Sequence, residues 1–141
     1  EKKDFYYNIF KNYVSDDYRE FLKLDSEDID YLGYIDSVYE HPEILENELI
    51  NWENFLKKYP DSELKSQANS IYSDYQYDYI NPLLSDSIKE ALENGKTNEL
   101  LKQYNNFIKK YPNSPTTEII KYYLENYREE DIRELILKKL D

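Results

Sequence analysis

The stretch that decides the fold is Trp52-Glu53-Asn54-Phe55-Leu56-Lys57-Lys58-Tyr59-Pro60-Asp61-Ser62, and residues 104–114 repeat it as Tyr104-Asn105-Asn106-Phe107-Ile108-Lys109-Lys110-Tyr111-Pro112-Asn113-Ser114. In each copy an aromatic residue, a phenylalanine, an aliphatic residue and a tyrosine fall at i, i+3, i+4 and i+7, which is one stripe of an α-helix. Tyr-Pro ends that helix, because the residue before a proline is displaced from the α region and the proline has no N–H. The serine two residues later can accept a hydrogen bond from the N–H groups that begin a second helix. The two copies therefore predict helix, tight turn and helix, with the aromatic residues at 52, 55, 59, 104, 107 and 111 largely buried.

The composition predicts an all-α chain. Its 141 residues are enough for one domain, and 40% of them are apolar, including 17 tyrosines. Only two glycines and five prolines are present, which is too few for many hairpin turns, and no run alternates apolar and polar residues as a strand would. We expect a single helical-repeat domain over residues 1–141.

The net charge of −12 limits the partners. Nucleic acid is excluded as an expected partner, because its binding requires lysine and arginine to neutralise phosphates. Anionic membrane surfaces are disfavoured for the same reason, and no apolar run reaches the roughly 20 residues that cross a bilayer. A protein or a peptide is the partner that the charge allows.

Periodicity predicts six to seven helices, paired as hairpins over about 3–39, 43–80 and 98–140, with an extra short helix over about 83–94. The first segment is expected to be one helix, from Lys3 to Leu24. Its predicted inward stripe consists of Phe5, Ile9, Phe10, Tyr13, Val14, Tyr18, Phe21 and Leu22. Residues 18–23 also resemble residues 52–57, which suggests a fainter third copy of the repeat. The last segment is either one helix or two helices that meet near residues 129–131.

The repeated stretch is similar to the tetratricopeptide-type repeats, in particular to those of bacterial envelope lipoproteins and periplasmic proteins. The residues that carry the resemblance are Phe55, Tyr59, Pro60, Ser62 and Ala68 in the first copy, and Phe107, Tyr111, Pro112 and Ser114 in the second. The resemblance implies antiparallel helical hairpins stacked as a right-handed repeat. The chain departs from the regular pattern, because its copies lie 52 residues apart rather than about 34, and isoleucines occupy 119 and 120 where a small residue is usual.

No residue pattern points to catalysis or to a bound metal. The only histidine, His41, precedes a proline and suits a helix start, and two glycines cannot form a phosphate-binding loop. The acidic run at 25–30 is the best candidate for calcium, but it does not follow the EF-hand spacing of acids, glycine and final glutamate. We therefore expect no enzyme activity, no cofactor and no metal.

The functional prediction is a non-catalytic, protein- or peptide-binding scaffold domain of an extracytoplasmic bacterial protein or lipoprotein. The location follows from the resemblance. Because the sequence begins at Glu1 without methionine, we expect a processed or cut form, and removal of a signal peptide or a lipid anchor is compatible with this start. Six tyrosines lie off or at the margins of the predicted core stripes: Tyr6, Tyr7, Tyr31, Tyr34, Tyr77 and Tyr122. Of these, the candidate partner-binding residues are Tyr31, Tyr34, Tyr77 and Tyr122. Two alternatives remain: an ancillary helical domain of a larger cell-wall enzyme whose chemistry lies outside this chain, and an acidic enzyme or calcium-dependent module that uses the acidic run.

Overall fold

A computed structural model describes residues 4–27 and 42–140. Within these two ranges the chain forms helices and turns and no strand, so the predicted all-α class is confirmed for them. The α-helices are α1 (Phe5–Phe10), α2 (Asp16–Glu27), α3 (Pro42–Lys58), α4 (Lys65–Ile80), α5 (Asp86–Glu93), α6 (Glu99–Lys110), α7 (Pro115–Asn126) and α8 (Ile132–Leu140). A 3₁₀ turn, Asn81–Leu84, follows α4. The second half of the first predicted hairpin, with Tyr31, Tyr34 and His41, lies outside the described residues.

The chain divides into two compact units, Glu1–Tyr75 and Gln76–Asp141, where the sequence predicts one repeat domain. Each unit contains one copy of the repeated stretch. Within the first unit α1 packs on α2 and α2 packs on α3, and within the second unit α7 packs on both α6 and α8.

The Tyr-Pro turn has the same hydrogen bonds in both copies. In the first copy the Tyr59 N–H donates to the Phe55 carbonyl at 2.9 Å, and the Ser62 N–H donates to the Tyr59 carbonyl at 3.2 Å. The Ser62 hydroxyl oxygen then accepts the Leu64 N–H at 3.1 Å. The second copy repeats all three bonds 52 residues further along, at 2.8, 3.1 and 3.2 Å. The predicted helix end is confirmed in each unit, and Ser114 caps α7 as predicted. In the first unit Ser62 binds the turn at residues 63–64, and α4 begins at Lys65.

Four of the six repeat aromatics are fully buried, and two are not. The fully buried rings are Trp52, Phe55, Tyr104 and Phe107. Tyr59 and Tyr111 are only half-buried, which corrects the expectation that all six would be enclosed. They end their helices at the turn, and a lysine ammonium lies over each ring, at 5.0 Å and 4.9 Å.

A third ring completes the aromatic cluster of each unit. In the first unit Phe21 on α2 meets Trp52 and Phe55 edge-on, with ring centroids 5.2 and 5.8 Å apart. In the second unit Tyr79 packs on the rings at 104 and 107, at 5.5 and 5.0 Å. Phe21 therefore has the role of Tyr79, a ring that packs against the repeated helix. It does not have the role of Phe55, which the suggested third copy at residues 18–23 would give it.

The second unit also contains buried polar contacts that orient its helices. The Tyr104 hydroxyl donates to the Tyr79 carbonyl at 2.7 Å, and the buried Gln76 amide donates to the Thr116 hydroxyl at 2.9 Å. Because an unpaired buried polar group is costly, such bonds favour a single packing arrangement. Gly95 ends α5 with a φ of 61°, a left-handed conformation that glycine adopts without strain.

Two predicted helices are each divided in two. The last segment bends at residues 127–131, between α7 and α8, which settles the alternative that the sequence leaves open. The first segment bends at residues 11–15, so a continuous helix from Lys3 to Leu24 is wrong. There Ser15 precedes two aspartates that occupy the first turn of α2, where negative charge is favourable.

Truncation of Phe107 tests the assignment of the core. Phe107→Ala should lower the free energy of unfolding by about 3–5 kcal/mol, because the ring is fully enclosed and its loss leaves a cavity. Chemical denaturation followed by far-ultraviolet circular dichroism measures this change. Tyr13→Ala is the control, because the Tyr13 side chain is 85% exposed and its removal should change the value by less than about 0.5 kcal/mol. Equal losses in the two variants would contradict the assignment.

Candidate binding surface on the first two helices

Arg19 on α2 holds the short helix α1. Its guanidinium donates to the backbone carbonyls of Lys11, at 2.5 Å, and of Val14, at 3.4 Å, and it pairs with Asp16 at 3.1 Å. The two carbonyls lie at and just beyond the C-terminal end of α1, where carbonyl groups have no partner within the helix. A helix of six residues is too short to be stable alone, so this attachment positions it.

The side of α1 that faces α2 and the Tyr-Pro turn is polar. Tyr7 lines a cleft with α2 and the Tyr-Pro turn, and the Lys11 ammonium lies 5.4 Å from the centre of the Tyr7 ring. The opposite side of the helix is apolar and faces outward. We name this surface the aromatic patch, and it consists of Phe5, Tyr6, Ile9, Phe10 and the following Tyr13.

Four members of the aromatic patch share one face of α1. Phe5, Tyr6, Ile9 and Phe10 fall at i, i+1, i+4 and i+5, which is a single face at helical spacing, and the exposed Tyr13 follows in the turn after the helix. The Phe5 and Tyr6 rings meet edge-on at 5.5 Å, and the Tyr6 and Phe10 rings stack at 6.4 Å. Seven large apolar side chains are exposed in residues 4–27 and 42–140, and six of them lie between positions 5 and 18. Contiguous exposed apolar surface of this kind is typical of an interaction site.

A cleft of about 400 Å³ lies on the other side of α1, between that helix, α2 and the Tyr-Pro turn. Its charged and tyrosine side chains are Tyr7, Asp16, Arg19, Glu20, Lys23, Lys58 and Tyr59. The Glu20 carboxylate accepts hydrogen bonds from the Lys58 ammonium at 2.5 Å and from the Tyr59 hydroxyl at 2.8 Å. Two of the three cations of the cleft are therefore bound within the molecule, Arg19 by carbonyls and Lys58 by Glu20. This pairing favours an internal junction over a ligand site.

A second carboxylate joins α2 to the same turn. The Ser62 hydroxyl, which caps the next helix, donates to the Asp17 carboxylate at 2.5 Å. Hydrogen bonds from Ser15 and Ser62 lower the pKa of Asp17. Burial acts to raise the pKa of Glu20, but the bonds from Lys58 and Tyr59 outweigh it and lower that pKa. Both groups are therefore held in the charged form that binds the turn.

The predicted partner-binding tyrosines do not come together in the described structure. Tyr77 is 44% exposed, whereas Tyr122 is half-buried beneath the Lys139 ammonium, 4.3 Å from its ring centre. Tyr31 and Tyr34 lie outside the described residues. In the acidic run at 25–30, Asp25 and Glu27 lie on α2, and no cluster of three possible metal ligands occurs in the two described ranges.

The sequence prediction is wrong for most of the aromatic patch. The predicted inward stripe includes Phe5, Ile9, Phe10, Tyr13 and Tyr18, and the structure exposes all five, whereas the exposed Tyr6 lies off that stripe as predicted. The error follows from reading residues 3–24 as one helix, because a break at 11–15 changes the face that each residue presents. Ser15-Asp16-Asp17, a helix-start pattern inside the stripe, was the signal for that break.

Comparisons with protein-family models, curated proteins and solved structures found no match to the chain. The resemblance to tetratricopeptide-type repeats therefore stays a prediction. Within the part of the chain that the structure describes, every helix is too short or too polar to cross a membrane.

The junction between α2 and the turn should make the first unit sensitive to acid. The folded pKa values of Glu20 and Asp17 are below their unfolded values of about 4.3 and 3.9. The stabilisation by these two carboxylates is thus fully present above their unfolded pKa values. It is lost as the pH falls through their folded pKa values. Glu20→Gln should lower the free energy of unfolding at pH 7 by about 1 kcal/mol, the scale of a partly exposed ion pair.

Urea denaturation at a series of pH values from about 2 to about 7, a range that brackets carboxyl titration, measures the free energy of unfolding. The series gives both the loss of stability in acid and the effect of Glu20→Gln at about pH 7. Asp25→Asn is the matched control, because it removes an exposed carboxylate from the same helix. We expect the acid-dependent loss to shrink in Glu20→Gln and to persist in Asp25→Asn. An unchanged pH profile in Glu20→Gln would show that the junction does not contribute to stability.

Proposed function

We propose that this chain is a non-catalytic module that binds a protein or peptide through the aromatic patch on α1. The observation that carries the proposal is the orientation of α1, which turns its polar side toward the cleft and leaves its apolar side exposed. An amphipathic helix of a globular protein normally buries its apolar side. A partner that covers this face would remove five large apolar side chains from water, which is the main favourable term in protein association.

The composition of the patch also supports recognition. Aromatic rings contribute much contact area and lose little conformational entropy on binding, and tyrosine is enriched at binding sites for this reason. Arg19 supplies a fixed attachment for the helix that carries them. The binding surface is therefore positioned before the partner arrives.

The setting that we propose for this module is outside the cytoplasm of a bacterium. The support is the similarity of residues 52–62 and 104–114 to the tetratricopeptide-type repeats of envelope proteins. Stacking of the hairpins as a right-handed repeat belongs to the same proposal.

Site-specific photocrosslinking tests the binding surface. A benzophenone amino acid at position 13, whose side chain is 85% exposed, should form adducts with a partner in extracts of the cells that make the protein. The control carries the same group at Tyr77, which is 44% exposed and lies outside residues 5–18. Phe10→Ser should reduce the adducts from position 13 several-fold, because it removes a ring from the patch.

Adducts that form equally from both positions, or that persist in Phe10→Ser, would contradict binding through α1. Adducts that contain only the chain itself would identify a second copy as the occupant. Circular dichroism of each variant verifies that the helices remain folded.

A further inference from the structure

We infer that the occupant of the aromatic patch is a basic segment, in which lysine or arginine side chains alternate with apolar ones. The inference rests on the proposed function and specifies the chemistry of the partner. It follows from the charges near the patch and from the way this protein's tyrosine rings contact cations.

Negative charge dominates the helices that carry the patch. Residues 4–27 contain six acids and three bases, and the whole chain has 30 acids against 18 bases. Asp4 precedes α1 and Asp16 follows Tyr13 in the next helix, and both are exposed. The Asn8 amide donates to one Asp4 oxygen at 3.0 Å and Arg19 pairs with one Asp16 oxygen at 3.1 Å. A carboxylate therefore lies near each end of the patch in sequence, and its exposed side can face a cation on the partner.

Most of the nearby cations already have internal contacts. The Lys11 ammonium donates to the Asn8 side chain at 3.3 Å and lies over the Tyr7 ring, and Arg19 is bound by two carbonyls and by Asp16. These contacts hold the two cations against the molecule, and the six acids of residues 4–27 outnumber the three bases of the same range. An acidic segment would also approach against the net charge of −12.

The rings of this chain regularly bind lysine or arginine. Five tyrosines in the described residues have a cation over the ring, at centroid distances of 4.3–5.4 Å: Tyr7, Tyr59, Tyr111, Tyr122 and Tyr127. Such contacts are attractive because the face of an aromatic ring carries negative potential. In the same described ranges no cation is seen over Phe5, Tyr6, Phe10 or Tyr13. These four rings thus offer a partner's lysine or arginine the contact that the other tyrosines make internally.

Three labelled peptides of about 14 residues, or four helical turns, test the inference by fluorescence anisotropy. They share one helical stripe of leucines and carry lysine, glutamine or glutamate at the other positions. We expect the lysine peptide to bind at least about tenfold more tightly than the glutamine peptide, and the glutamate peptide to bind more weakly still. The lysine preference should decline as salt rises from about 0.05 to 0.5 M, because exposed charges are screened.

Variants locate the binding site. Phe10→Ser and Tyr13→Ser should each weaken the lysine peptide several-fold, and the double variant at least about tenfold, because rings and apolar area are lost together. Tyr77→Ser, which removes an exposed tyrosine elsewhere, should leave the affinity unchanged.

Each remaining outcome overturns the inference in a distinguishable way. If the glutamine peptide binds as tightly as the lysine peptide and is lost in the double variant, the patch is a binding surface without charge preference, and the proposed function stands. If the lysine peptide binds the double variant and the parent equally, its binding is general attraction to an acidic protein. If no peptide binds, a basic segment is not the occupant, and the photocrosslinking at position 13 decides on the proposed function separately.

Discussion

Close packing of an added aromatic ring against the rings of the repeated helix is the interaction on which each unit depends. Trp52 and Phe55 in one unit, and Tyr104 and Phe107 in the other, are fully buried, and a ring from an earlier helix covers each pair. The Tyr-Pro turn then ends the repeated helix at a fixed residue, just beyond these rings, and a serine side chain accepts an N–H group of the segment that follows.

The turn has a second structural role in the first unit. Its exposed edge presents the Lys58 ammonium, the Tyr59 hydroxyl and the Ser62 hydroxyl, and α2 binds these groups through Glu20 and Asp17. Because α2 also carries Phe21 and Arg19, one docked helix both completes the aromatic cluster and holds α1. The position of the aromatic patch therefore follows, through α2, from the same turn that ends α3.

The sequence predicts the repeated part of this structure well, because its signals are local ones. These are the helical spacing of the apolar residues, the proline that ends the helix and the serine before the next helix. The same three turn bonds occur in both copies, and the helices that Tyr59-Pro60 and Tyr111-Pro112 are predicted to end stop at Lys58 and Lys110. The first 27 residues were harder to predict, since a stripe of aromatic residues has the same spacing whether it lies on a buried or an exposed face. The hydrogen bonds that fix which face of α1 is exposed run from Arg19 to the backbone carbonyls of Lys11 and Val14. Every residue has a backbone carbonyl, so the identities of residues 11 and 14 do not predict these bonds.

The acidity of the chain and its exposed rings are physically connected. An aromatic patch on the surface of a neutral protein would favour self-association, because two copies could cover each other's apolar surface. Here two copies would meet with a charge of −12 on each, and the carboxylates of residues 4–27 would be brought together as the patches approached. The same repulsion disappears for a partner of opposite charge, whose cations can neutralise the acids while its apolar side chains cover the rings. If the patch binds the basic segment inferred above, high negative charge would both disfavour pairing with its own copies and favour that occupant, which is why we propose one function for the patch and the charge.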